Sequence, residues 1–308
     1  MQKEYRRAER LMGNSFEITI VVEQQAWAEE CLNRAVLEIK RIEKLLTTFS
    51  DDSETNQVNR YAGIQPVAVS KEFFELVERS VRISELTDGA FDITYGSANK
   101  SLWNFDKAMT KLPDPETARS IVKLINYRNV LLDKENNSIL LKEKGMRIGF
   151  GGIGKGYAAE MTRRLLKHQG ILSGVVNASG DISAWGKQAD GQPWTIGIAH
   201  PDQAHLPFSY LNISDMAVAT SGNYEKFVII AGQKYSHTIN PKTGLPVTGI
   251  KSVTIISPNA ELADAMATPV TIMGVKAGLN LINQMSLMAC IIIDDNNNIF
   301  TSKNIHLT

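Results

Sequence analysis

Cysteine is scarce in this chain: of 308 residues only Cys31 and Cys290 carry a thiol. Neither sits at a metal-ligand spacing and each falls in an apolar pattern, so two buried free thiols are expected, not a disulfide framework or a zinc site. An excess of one charge is lacking too. Thirty-three basic residues meet 33 acidic ones, which gives no electrostatic ground for nucleic acid or an anionic membrane as the main partner. No apolar run approaches the length of a bilayer span. The first ten residues, Met1 to Arg10, are charged where a signal peptide would have its apolar core. Low-complexity linkers and internal repeats are also missing. What is there, 43% hydrophobic and 21% charged residues, is ordinary for a globular chain with ample core.

The patterning mixes both periods. Phe16 to Val22 alternates and then turns apolar, as a strand does. Ala28 to Leu46 carries apolar residues at helical spacing. Ser50 to Gln57 is a polar run that reads as a loop. Ser70 caps a second helix that stops at Leu86, before Gly89, and Asp114-Pro115 starts a third with Asp as cap and Pro in the first turn. Val130 to Leu132 and Ser138 to Leu141 form a hairpin pattern. From Ile148 to Tyr157 a strand is expected to run through glycines into a helix that ends near Gly170, and further strands are expected at Val175–Asn177, Trp194–Ile198, Ala217–Thr220, Lys226–Ile230, Val253–Ser257 and Cys290–Ile293. Hairpin-like runs interleaved with helices favour an α+β fold over a parallel repeat. One compact unit spanning 1–308 is the simplest reading.

The residues that carry chemistry lie in six places. Gly149, Gly151, Gly152, Gly154 and Gly156 crowd a strand-to-helix turn that includes Lys155. Such a turn lets backbone approach a phosphate, with N–H groups and a point charge to receive it, though a plain tight turn has the same composition. The spacing is neither a dinucleotide fingerprint nor a Walker loop. Asn177-Ala-Ser-Gly-Asp181 and Thr220-Ser-Gly222 are further glycine turns after strands. His237 stands just before the Asn240-Pro-Lys-Thr-Gly244 turn; a lone loop histidine serves either as proton carrier or as a solvated side chain. Asp92 either contacts a ring edge or a ribose, or caps its own turn. Asp264 and Thr268 sit four apart near the start of a helix with only small and apolar residues between. That spacing puts a carboxylate and a hydroxyl on one face, an all-oxygen pair suited to Mg²⁺ or to nothing more than dipole and backbone contacts. Pro269 should kink or end that helix.

In order and spacing these blocks resemble the ApbE family of FAD:protein FMN transferases. Leu11-Met-Gly13, Asp52-Ser-Glu54 with Asn59, Gly89-Ala-Phe-Asp92, Gly151-Gly-Ile-Gly-Lys-Gly-Tyr157, Thr220-Ser-Gly222, His237 to Gly244, and Ala263-Asp264 to Thr268 carry the resemblance from about residue 11 to 274. It implies a T-fold-related domain with mixed or antiparallel sheets and flanking helices. It also implies FAD as donor, Mg²⁺ as cofactor, and an acceptor flavoprotein whose Thr or Ser hydroxyl receives FMN while AMP leaves. By the same resemblance Asp264, Thr268 and the carbonyls of Gly152 and Ala267 hold the metal. Met12, Phe49, Ala90, Phe91, Asp92, Lys155 and Ile239 contact FAD, with Gly149 as a backbone neighbour, and His237 is the general base.

Three positions depart from the pattern: Gly149 where the family commonly has Asp, Phe49 where Tyr is frequent, and Pro269 where Ala is usual. Alternative readings are FAD pyrophosphate hydrolysis to FMN and AMP, FAD storage without turnover, and the family's older association with thiamine synthesis. As given, the chain reads as cytoplasmic. Many relatives are secreted or lipid-anchored, so an extracytoplasmic protein whose leader was removed is the alternative.

Overall fold

A computed structural model describes residues 1–98, 111–200, 203–222, 227–230, 232–236 and 238–305. The chain opens on the hairpin β1 (Lys3–Leu11) and β2 (Asn14–Val22), followed by the long helix α1 (Gln25–Leu46). Helices α2 (Glu54–Arg60) and α3 (Lys71–Leu86) flank the short strand β3 (Val67–Ala68). After α4 (Pro115–Ile121) come β4 (Val130–Asp133) and β5 (Ser138–Leu141). Helix α5 (Gly154–His168) leads into the hairpin β6 (Gly174–Ala178) and β7 (Asp181–Trp185). Next come β8 (Trp194–His200), β9 (Gln203–Ile213), β10 (Met216–Gly222), β11 (Phe227–Ile230), β12 (Gln233–Ser236) and β13 (Ile250–Ser257). Helix α6 (Ala260–Ile282), β14 (Ala289–Asp294) and β15 (Ile299–Thr301) complete the chain.

Eight strands form the main sheet in the order β1-β2-β6-β7-β10-β13-β14-β15. Every pairing among the described strands is antiparallel, so the architecture is α+β with antiparallel sheets and flanking helices. Side chains alternate across this sheet with the period of two that strands impose. Ile18 and Ile20, Ala217 and Ala219, and Val253 and Ile255 face the helical side and join its core. Val21, Val218 and Ile256 face the other way, where Trp194, Ile196 and Ile213 of the β8–β9 hairpin cover them. Each fully buried Ile contributes roughly 1.5–3 kcal/mol over an exposed one. The helical side holds α1, α5 and α6 against the sheet and against one another. Cys31 and Cys290 are buried free thiols, as their apolar surroundings predict.

Three local expectations are corrected. The polar run 50–57 is only partly loop: the Ser53 side chain accepts the Asn56 N–H at 3.1 Å and starts α2 at Glu54. Ile148–Phe150 is not a strand. The Asn59 side chain grips Ile148 from both sides, donating to its carbonyl at 3.1 Å and accepting its N–H at 2.7 Å. Asn59 thereby acts as a strand partner made of one side chain, and it aims the chain into the glycine turn.

Helix α6, finally, does not stop at Pro269. It runs through the proline to Ile282, with its break at Gly274 (φ 78°). An interior proline forfeits one backbone bond, that of the Ala265 carbonyl, at about 3 kcal/mol; the burial of Ala263, Ala265, Met266, Ala267 and Val270 offsets this. By length and composition α6 is apolar enough to cross a bilayer, against the expectation that no stretch is, but in this fold it lies along the sheet.

Candidate active site

Four turns meet at one end of the main sheet. Met12-Gly13 (φ 52° and 72°) joins β1 to β2, and Ser179-Gly180 (φ 56° and 100°) joins β6 to β7. Two-residue hairpin loops with both central residues at positive φ match the twist of the strands they join. Because β2 and β6 are neighbours in the sheet, the two tips lie side by side. The end of β10 (Thr220 to Gly222) and the glycine turn before α5 complete the ring. Together they enclose a cleft of about 260 Å³, lined among others by Gly152, Lys155, Asp181, Asp264, Ala267 and Thr268.

Gly156 is what lets this site close. A Cβ there would meet the Ala260 carbonyl oxygen at 2.2 Å and Cβ of Asp264 at 2.6 Å, so only glycine permits α5 and α6 to touch. The Gly156 N–H, at the N-terminus of α5, donates to Oδ2 of Asp264 at 2.9 Å. The Lys155 ammonium donates to Oδ2 of Asp181, the first residue of β7. Both carboxylates are buried. Burial pushes the Asp264 carboxyl up to about 7, helped by the negative charge of Asp181 and opposed by Lys155 and the Gly156 N–H. Burial likewise raises Asp181, against the pull of Lys155.

The donor chemistry fits a hard divalent cation. Asp264 and Thr268 sit one helical turn apart on the wall, Gly152 lines the same wall, and the hydroxyl of Thr268 makes no hydrogen bond among the described residues. No group of three or more His, Cys, Asp or Glu side chains placed to hold a metal occurs among the described residues. The oxygens offered are therefore few, as suits an ion that completes its shell with water and substrate phosphate. The Ala267 carbonyl accepts the Thr271 hydroxyl at 3.0 Å, and Pro269 leaves the carbonyl of Ala265 without its helical donor.

None of the other predicted residues that the structure describes lines this cleft. Met12 is half-buried at the first hairpin tip, its methyl carbon 3.7 Å from where a Cβ on Gly154 would stand. Ala90 and Phe91 are buried, and a Cβ on Gly152 would lie 3.6 Å from the Phe91 ring. Asp92 bonds inward: Oδ1 accepts the Thr94 N–H at 2.8 Å and hydroxyl at 2.6 Å, and Oδ2 accepts the Tyr127 N–H at 3.0 Å. Burial raises this carboxyl too, against those bonds. Gly149 donates its N–H to the Ile93 carbonyl at 3.0 Å. Ile239 is buried beside Ile121 and Val122. Phe49 is 99% exposed on the loop after α1. His237 lies outside the described residues; Thr238, which follows it, lines the cleft.

Sequence reasoning passed over Asn14, and it named the turns that hold Asp181 and Thr238 without giving either residue a role in the cleft. The alternation around Asp181 gave no sign of its burial. Asp181, Ser183 and Trp185 are all buried along β7, although in the sequence the apolar residues Ile182 and Ala184 fall on the alternate positions.

Comparison with known proteins agrees with this geometry. The model of the ApbE family matches residues 12–292. A curated FAD:protein FMN transferase of Klebsiella pneumoniae is 30% identical over 294 residues, covering 95% of this chain and 90% of the relative. One of Salmonella typhimurium is 28% identical, covering 92% and 83%. Among solved structures, the ApbE protein of Thermotoga maritima superposes with a TM-score of 0.85 at 30% identity, covering 98% of this chain and 97% of its own. The flavin transferase ApbE of Vibrio cholerae superposes with a TM-score of 0.86 at 25% identity, over 99% and 98%. By sequence along most of its length and by fold along nearly all of it, this chain belongs to the ApbE family.

Proposed function

We propose that this protein transfers FMN from FAD to a Thr or Ser hydroxyl of an acceptor flavoprotein, with Mg²⁺ bound and AMP released. The observation that carries this reading is the Asp264–Thr268 pair facing the glycine turn and Lys155 across one polar cleft. The names of the relatives, FAD:protein FMN transferases, support the same reaction.

In this reaction the acceptor oxygen bonds to the FMN phosphorus, the bond from that phosphorus to the AMP oxygen breaks, and the hydroxyl proton passes to a base. The glycine turn offers N–H groups at a helix N-terminus to the diphosphate, and the Lys155 ammonium adds a donor. Asp264 and Thr268, with the Gly152 and Ala267 carbonyls, would hold the cation, which neutralises charge on the pyrophosphate. Met12 and Phe49 offer apolar surface to the rings. The segment Ala90 to Asp92, the Gly149 backbone and Ile239 complete the FAD contacts. His237, next to the cleft residue Thr238, takes the acceptor proton.

The test is the intact mass of a candidate acceptor flavoprotein after incubation with the protein, FAD and Mg²⁺. A gain of one FMN that EDTA abolishes supports transfer. AMP and free FMN without that gain mean hydrolysis, and bound, unaltered FAD across a panel of acceptors means storage. His237→Ala is expected to lower transfer about 100-fold or more while FAD still binds; transfer at the wild-type rate removes His237 as the base.

A further inference from the structure

Among the described residues that line the cleft, Lys155 is the one cation. Lys155 stands in the first turn of α5, and its ammonium is bonded to Asp181 across the gap between helix and sheet. Asp181 and Asp264 both line this cleft, and the negative charge of Asp181 acts on Asp264. Their side chains are almost wholly enclosed, Asp181 at 4% and the residue Asp264 at 7% exposure. Two buried carboxylates and one ammonium sum to a single negative charge when all are ionised. Take the ammonium away and the sum is minus two, the charge that balances a divalent ion. Buried charges are tolerated only when compensated, so an ammonium and a divalent ion compete for the same pair of carboxylates.

We propose that Lys155 holds the cation's place: paired to Asp181, it balances the site before loading, and it gives up the carboxylates when a divalent cation and a diphosphate arrive together. Asp181 is then a second carboxylate of the cation centre, beside Asp264 and Thr268, and Lys155 turns to the diphosphate it has room to reach. Lys155 is 29% exposed on its side chain, while its partner is enclosed, so the lysine is the member of the pair that can move. Loading becomes ordered in consequence. The cation binds weakly to the empty protein and tightly once a diphosphate offers the ammonium another partner. The proposal rests on the cation reading given above, and it goes beyond it by assigning Asp181 and by giving Lys155 two successive roles.

The experiment is direct Mn²⁺ binding to the purified protein by electron paramagnetic resonance of the free ion, without and with ADP as a diphosphate lacking the flavin. Circular dichroism checks that each variant is folded. In the absence of nucleotide, Lys155→Met is expected to bind Mn²⁺ about tenfold more tightly than wild type, and Asp181→Asn about tenfold more weakly, from removing one charge a few ångströms away. ADP should tighten Mn²⁺ binding to wild type and do so much less for Lys155→Met. Lys155→Arg, which keeps the charge, should behave as wild type in the absence of nucleotide and serves if the methionine variant fails to fold, with Lys155→Gln beside it. Unchanged or weaker Mn²⁺ binding in the folded, uncharged lysine variant overturns the placeholder role. Wild-type affinity in Asp181→Asn overturns the second carboxylate. If Asp264→Asn also binds Mn²⁺ as wild type does, the cation reading itself has failed, and that outcome is distinct from the other two.

Discussion

The contact between α5 and α6 has two ends, and each holds a buried carboxylate that reaches for the other helix. Glu160 of α5 accepts the Ala260 N–H at the start of α6 at 3.2 Å, and it is closed off by Arg163 at 2.9 Å and Arg164 at 3.1 Å. Asp264 of α6 accepts the Gly156 N–H at the start of α5 at 2.9 Å. Both take the favourable end of a helix dipole. There the likeness stops. Glu160 has two guanidinium groups, whereas Asp264 shares one ammonium with a second carboxylate. With every group ionised, the Glu160 end carries one positive charge in excess and the Asp264 end is left one short. The positive end ties the two helices together, and the negative end is where the proposed cation would supply what the chain does not.

The sharpest way to break this comparison is to exchange the phenotypes. Asp264→Ala should lower FMN transfer about 100-fold or more, read by acceptor mass, with little loss of stability. Glu160→Gln should do the reverse, leaving Arg163 uncompensated and costing about 3 kcal/mol in urea unfolding while the transfer rate of the folded enzyme stays within about twofold. Equal effects on both measurements would remove the distinction. Gly156→Ala tests the contact that both ends share. Its Cβ would stand 2.2 Å from a backbone oxygen, so α5 and α6 must separate, at about 2 kcal/mol or more, and the rise in melting temperature on adding Mg²⁺ should vanish.

A smaller effect is expected from pH. In the folded protein without cation Asp264 is pushed up to about 7 from 3.8. Between those values the folded state keeps a proton that the unfolded chain has released, so this group's contribution to stability falls as pH rises through the window and is level above it. The melting temperature of wild type minus that of Asp264→Asn should therefore decline from about pH 4 to about pH 7; a constant difference refutes the shift. The smallest effect on stability is that of Phe49→Ala. With the ring 99% exposed, unfolding should change by less than about 0.5 kcal/mol, while FAD affinity measured by fluorescence quenching falls. Unaltered affinity would remove Phe49 from the flavin contacts.

What could be read in the sequence was what acts locally. Ser70 and Asp114 cap the helices they were expected to cap, because a cap needs only its own next turn. Asp264 and Thr268 share a wall because four residues of helix put them there. Contacts between distant segments stayed hidden. Ser53 and Glu54 are a local start signal for α2 that the surrounding polar run obscured, and the helix is anchored by Asn59 gripping Ile148, 89 residues away. Asp181 matters because a hairpin tip carries it to Lys155, and no spacing along the chain encodes that meeting. Pro269 misled because local propensity is a weak vote against a helix buried along a whole sheet.

The strand order also bears on when the site comes into being. Most neighbours in the main sheet are near neighbours in the chain, but β2 pairs with β6, joining Phe16 to Ala178. Closing a loop of roughly 160 residues costs roughly 4 kcal/mol more chain entropy than closing a tight hairpin. That pairing is also the one that sets the Met12-Gly13 tip and Asn14 beside the Ser179-Gly180 tip. The cleft is thus completed by the least local contact in the sheet. A chain with β6 to β15 in order but β1–β2 undocked has the carboxylates and no enclosure, which makes ligand binding a report on whether the whole chain has folded.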